Sequence, residues 1–255
     1  MVKGLYTAAT GMNVQAKKMD VISNDMANVN TTGYKKDTAV ITSFQETLMK
    51  RINDMQNNMP NNGEIGTVSL GARIAEVYTQ FTQGSVISTG EMVDVAIQGD
   101  GFFVVNTTNG EAYTRDGSFT IDRNGNLVTK EGYSVMGENG AITFGEEFLT
   151  EGGNIVIKEN GDVYLDGAYI DRLSMANFEN TRSLTKMNDN LYTSNGARSQ
   201  FTGSIIQGFL ETSNVNSVTA MVDMITVSRA YEANQKVLQT HDTLLGKAVN
   251  DIANI

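Results

Sequence analysis

The sequence predicts an α+β protein: an antiparallel all-β body, a sandwich or an irregular barrel, between N- and C-terminal helices that pair as an antiparallel coiled-coil-like stalk. Three observations carry this expectation. Apolar residues recur at alternating steps of three and four at both ends of the chain. The period falls to two between about residues 68 and 210. Asn-Gly and Asp-Gly dipeptides punctuate that middle stretch.

The N-terminal stripe is Leu5, Ala8, Met12, Gln15, Met19, Ile22, Met26 and Val29; the C-terminal stripe is Met224, Val227, Tyr231, Asn234, Leu238, His241, Leu245, Ala248 and Ile252. Such spacing gathers apolar side chains on one side of a helix, and a stripe needs a partner surface. Two stripes at opposite ends of a chain point to packing on each other, on neighbouring copies, or on both. The first helix is expected over residues 4–29. It ends where Asn24 to Asn30 compete for backbone hydrogen bonds and Gly33 offers a positive φ. The last is expected from Ser217 to about Ala253, capped by Asn214, Asn216 or Ser217 itself, with no Gly or Pro before Leu245. At about 1.5 Å per residue it would run roughly 55 Å, too long to lie flat on a small β domain.

Between the helices, Phe44, Leu48, Ile52 and Met55 suggest a second amphipathic helix over 43–56, and Asn57–Gly63 reads as a flexible loop with the chain's only proline, Pro60. Short strands are expected around Val93–Ile97, Phe102–Val105, Ala112–Arg115, Phe119–Asp122, Leu127–Thr129, Tyr133–Met136, Ile155–Ile157 and Val163–Leu165. The dipeptides between them favour tight hairpins. The expected division is a helical domain of residues 1–33 and 214–255, a linker of 34–80 and an all-β domain of 81–213.

Composition narrows the function. A formal net charge of −10 argues against nucleic acid, whose phosphates require clustered Lys and Arg. The absence of cysteine removes disulfides, thiolate metal sites and Cys nucleophiles. No apolar run reaches the ~18 residues of a membrane span, and no apolar segment of a cleaved secretory signal follows the first residues, so membrane insertion is not expected.

The residues suggestive of chemistry have plainer readings. His241, the only histidine, sits on the C-terminal seam; with Gln15 and Asn234 it is a candidate for fixing helix register, as buried polar residues do in coiled coils. Gly99-Asp100-Gly101 precedes a strand, so it lacks the helix that a dinucleotide fingerprint requires. Asp122-x-Asn124-x-Asn126 starts like a calcium loop but continues with Leu127 and Tyr133 where Gly and Glu are needed. Glu146-Glu147 are adjacent, and neighbours on a strand face opposite ways. No catalytic residue, metal or cofactor is expected.

Longer motifs are more specific. Leu5-Tyr6-Thr7-Ala8-Ala9-Thr10-Gly11-Met12 and Asp20 to Lys35 open the chain. Asp94 to Phe103 and Tyr113-Thr114-Arg115-Asp116-Gly117-Ser118-Phe119 lie in the middle. Gln207 to Asn216 and Met221 to Glu232 lie near the end. In this order they resemble the flagellar basal-body rod protein family, the FlgG/FlgF branch of the flagellar rod and hook proteins. The resemblance spans essentially the whole chain. It implies a structural rod subunit of the basal body that self-assembles through its terminal helices into an axial tube, transmitting torque and passing exported subunits. It implies a homo-oligomer, with other rod, hook and ring proteins and the flagellar export apparatus as partners, and a location in the periplasm or cell-wall zone. The expected interface residues are Leu5, Met12, Met19, Ile22, Met26, Asn28, Met224, Val227, Tyr231, Asn234, Leu238, His241 and Leu245. A hook or hook-junction subunit of the same family is the alternative, and a β-domain module that binds or hydrolyses cell wall is a more distant one.

Overall fold

The computed structural model describes residues 2–50, 55–56, 59–60, 64–145, 148, 152–188, 190–194 and 196–253. The chain forms two compact units. One gathers residues 1–26, 37–78 and 217–255; the other gathers 27–36 and 79–216.

The first unit contains helix α1 (Val2–Ala27), helix α2 (Ser217–Ala253) and a β-ribbon. Helix α1 stops at Ala27, inside the Asn24–Asn30 segment, and Gly33 beyond it has φ 67°. In the ribbon, β1 (Asp37–Ser43) pairs with β6 (Ala72–Thr79), β2 (Thr47–Lys50) with β5 (Glu64–Val68), and β3 (Met55–Gln56) with β4 (Met59–Pro60), nested as one long hairpin. The helix expected over 43–56 is therefore corrected. Leu48 lies in a strand opposite Thr67, and Met55 opposite Pro60. Inter-strand hydrogen bonds satisfy this backbone and override the three–four apolar spacing that suggested a helix. Ile52 lies outside the described residues, as do Asn57, Asn58 and Asn61–Gly63 of the expected loop, whereas Met59 and Pro60 form β4.

The second unit is the β body. Its strands are β7 (Val86–Ser88), β8 (Val95–Gln98), β9 (Phe102–Thr107), β10 (Gly110–Thr114), β11 (Phe119–Ile121), β12 (Leu127–Thr129), β13 (Ser134–Val135), β14 (Ile155–Ile157), β15 (Asp162–Leu165), β16 (Ala168–Arg172), β17 (Met175–Ala176), β18 (Leu184–Asn188), β19 (Leu191–Ser194), β20 (Ser204–Gln207) and β21 (Phe209–Glu211). The main sheet runs β11-β12-β13-β9-β10-β19-β18, with β17 also on β9. Strands β14-β15-β16 form a second sheet, and β8 and β7 pair with β20 and β21. All these registers are antiparallel. Four of the dipeptides mark hairpin turns, with positive φ at Gly110, Gly125, Gly161 and Gly167, whereas Asp116-Gly117 joins β10 to β11, which do not pair.

Strand β9 organises the core because both its faces are buried. Phe103 and Val105 join Val95, Phe119, Leu127 and Val135 on one side. Phe102 and Val104 join Tyr113, Ala176, Phe178 and Tyr192 on the other. Edge contacts between Phe103 and Phe119 and between Tyr113 and Phe178, with centroids 5.1 and 4.9 Å apart, add directionality to the packing.

Candidate assembly site

The seam of α2 is its covered side. Met224, Val227, Tyr231, Asn234, Leu238, His241 and Leu245 are buried or half-buried, and most residues between them are exposed. On α1, Leu5, Met12, Met19 and Met26 are half-buried and Ala8 and Ile22 are buried, but cover extends beyond the seam to Val14 as well. The ribbon accounts for part of the wider cover, since the Thr10 side chain fills the space where a Cβ on Gly71 would stand.

Two glycines of α1 lie against polar side chains of α2. A Cβ on Gly4 would stand 2.8 Å from His241 Nε2, and one on Gly11 would stand 3.1 Å from Asn234 Nδ2. Each approach involves a residue that the sequence places on the α2 seam, and a step of seven toward the C-terminus on α1 matches a step of seven toward the N-terminus on α2. His241 Nδ1 is buried without a hydrogen-bond partner among the described residues. Asn28 lies on neither seam. It walls a polar cavity of the β body with Thr31, Asp116, Glu131 and Asn190, and its Oδ1 accepts from Thr31 Oγ1 at 3.1 Å.

The β body holds a second arrangement that the sequence reading did not single out. Residues 33–36, 80–85 and 211–214 are laced together. Gly33 N donates to Glu211 O (2.8 Å), Gln80 N to Lys36 O (2.9 Å) and Thr212 N to Ser85 O (2.8 Å). Asn214, one of the residues expected to cap α2, turns into this lacing: its Oδ1 accepts from Lys36 N (2.8 Å) and its Nδ2 donates to Gln80 O (2.8 Å). At the centre Glu211 faces two cations. Lys35 Nζ lies 2.5 Å from Oε1 and donates to Thr82 O (2.9 Å); Arg115 Nη1 lies 3.5 Å from Oε2 and donates to Gly99 O (2.8 Å). Gly84 N also donates to Glu211 Oε1 at 2.7 Å. The Lys35 and Glu211 side chains are 0% exposed and that of Arg115 is 2%, so the three charges depend on one another. Burial pushes the Lys35 ammonium below its ordinary value against the opposing pull of Glu211, and burial lowers Arg115 in the same way. We call this arrangement the clasp. Its three charged residues lie within the long motifs noted above, and the signal was a charge that follows an uncharged run: Lys35 after Thr31-Thr32-Gly33-Tyr34, and Glu211 after Gly208-Phe209-Leu210.

The other singled-out motifs are turns. Gly99 and Gly101 have positive φ ahead of β9, and Asp122 and Asn126 close a hairpin through Asp122 N to Asn126 O at 2.9 Å. Glu146 and Glu147 lie outside the described residues. Among the described residues no cluster of three or more His, Asp or Glu could hold a metal ion, and no helix is long and apolar enough to cross a membrane.

Three segments match family models that define the class as rod and hook subunits. Residues 5–35 match the flagella basal body rod protein, 96–165 the flagellar hook protein FlgE/F/G D1 domain, and 206–251 the flagellar basal body rod FlgEFG protein C-terminal. Each charge of the clasp falls in a different one of these segments. Among curated relatives, the flagellar basal-body rod protein FlgG of Borreliella burgdorferi is 36% identical, covering 98% of each chain. FlgG of Buchnera aphidicola is 34% identical, covering 97% of this chain and 98% of its own. The flagellar hook-basal body complex protein FlhO of Bacillus subtilis is 31% identical over the full length of both. The chain belongs to the flagellar basal-body rod protein family.

Proposed function

We infer that the chain is a structural subunit of the flagellar rod in the basal body, and that it assembles with further copies of itself through its helices. In this reading α1 and α2 pair as an antiparallel coiled-coil-like stalk that builds the inner wall of an axial tube. The β body forms the outer layer. Other rod, hook and ring proteins are its neighbours, and the flagellar export apparatus delivers it. The tube carries torque along its length and exported subunits through its bore.

The observation that carries the assembly reading is that α2 has two apolar stripes and only one is covered. Met224, Val227 and Tyr231 are covered, whereas Val218, Met221, Val222 and Ile225 are 68%, 54%, 57% and 54% exposed. Residues spaced at three and four on an exposed helix face form a contact surface for another helix. A chain reduced to residues 27–216 is expected to keep a folded β body by circular dichroism and to be absent from rods formed in cells. Incorporation of that fragment into basal bodies would overturn the reading.

The uncovered stripe also predicts how the dilute monomer behaves. A helix with half its apolar surface in water opens locally more readily than a closed β core. Limited proteolysis at micromolar concentration is expected to cut within α1 and α2 before the β body. Hydrogen-exchange protection of both helices equal to that of β9 and β10 would contradict this.

A further inference from the structure

The two glycines of α1 that face α2 are placed for more than local flexibility. Glycine in a helix interior is unfavourable by about 1 kcal/mol relative to alanine, so Gly11, with Gly4 of the first turn adding a smaller cost, weakens α1 unless the missing side chain is used. Here it is used at both positions. His241 occupies the space above Gly4 and Asn234 the space above Gly11, in each case nearer than a Cβ could comfortably stand. By contrast, a Cβ on Gly246, the one glycine of α2, would meet nothing within 4 Å.

We propose that Gly4 and Gly11 are notches that receive the His241 and Asn234 side chains and thereby set the register of α1 against α2. The proposal deepens the stalk reading and rests on it. Apolar seams with a seven-residue repeat tolerate a slip of one repeat, because every apolar residue then meets another apolar residue. Unequal notches remove that degeneracy. A slip by seven would bring His241 onto Gly11, or Asn234 onto Gly4. In the first case Asn234 would face Lys18, which carries a Cβ, and in the second His241 would lie past the start of α1 and lose its notch. Imidazole and carboxamide differ in size and shape, so the two pairs are not interchangeable. The α1 stripe includes Met12, Met19 and Met26, which adapt readily to a shifted partner and so give little register information of their own.

The test is a set of paired substitutions in the full-length chain, read by the rate of trypsin cleavage at Lys17 and Lys18 in the monomer. Leucine favours a helix almost as well as alanine. At an ordinary helix position Gly→Leu therefore slows cleavage by up to about five-fold, equivalent to about 1 kcal/mol. Filling a notch is expected to do the reverse, with Gly11→Leu and Gly4→Leu each accelerating cleavage about ten-fold. Rescue is expected to be pair-specific: Asn234→Ala restores the wild-type rate to Gly11→Leu, and His241→Ala restores it to Gly4→Leu. The crossed combinations, His241→Ala with Gly11→Leu and Asn234→Ala with Gly4→Leu, stay fast. Slower or unchanged cleavage in the leucine variants would overturn the notches, and equal rescue by matched and crossed partners would overturn their role in register. Because the readout is made on the monomer, these failures are distinct from a failure of assembly, which the truncated chain tests separately.

Discussion

Glu211→Ala is expected to destabilise the β body by about 3–5 kcal/mol, because it leaves Lys35 and Arg115 buried with no carboxylate between them. At roughly 2–4 °C per kcal/mol for a domain of this size, the melting temperature should fall by about ten degrees. The loss is larger than that of a surface ion pair because Gly84 N also loses its acceptor and no solvent reaches the site to replace it. Glu111→Ala is the matched control. Its partner Arg198 and Glu111 itself are 41% and 53% exposed, so its removal should change stability by less than about 1 kcal/mol. Urea denaturation of both variants decides the matter. Equal losses would show that the buried charges do not depend on each other.

Gly33→Val is expected to cost more than about 4 kcal/mol, enough to leave little folded body at physiological temperature. Two effects coincide there. The backbone sits at φ 67°, and a Cβ would lie 2.6 Å from Arg115 C and 2.7 Å from Asp116 Cα. These neighbours are main chain and cannot swing aside, so relief requires parting the clasp. Gly132→Ala separates the contributions. It also has a positive φ (87°) but meets nothing within 4 Å, so it should show the backbone term alone, about 1–2 kcal/mol. A comparable loss in the two variants, measured by denaturation, would remove the steric argument.

The parts of the fold that follow local rules were legible in the residues. Asn-Gly and Asp-Gly turns marked the hairpins because a positive φ is a demand one residue can meet alone. The α2 seam was legible because a long helix repeats its burial pattern many times. The ribbon was not. Ile41, Leu48, Leu70 and Val77 remain 40–49% exposed, so no alternating burial is imposed on its strands, and Phe44, Leu48 and Ile52 happen to fall at helical spacing. Of the strands after Asp166, β17 is two residues long and β18 lies at a sheet edge, so neither carries a clear period of two. The clasp was hidden differently. Its three charges sat inside recognisable motifs, but nothing local shows that Lys35 meets a carboxylate 176 residues away.

That separation governs when the body can finish folding. In synthesis Lys35 emerges before Arg115, and Arg115 before Glu211 and Asn214. Until then the two cations lack the carboxylate they share, and residues 33–36 and 80–85 lack the strand that joins them. Contacts this distant close slowly, because the intervening chain must be ordered first. A chain that stops short of Glu211 lacks the carboxylate that Lys35 and Arg115 share and the full strand that pairs with β7. The clasp thus ties the order of folding to the order of synthesis: the two charges made first wait for the one made last.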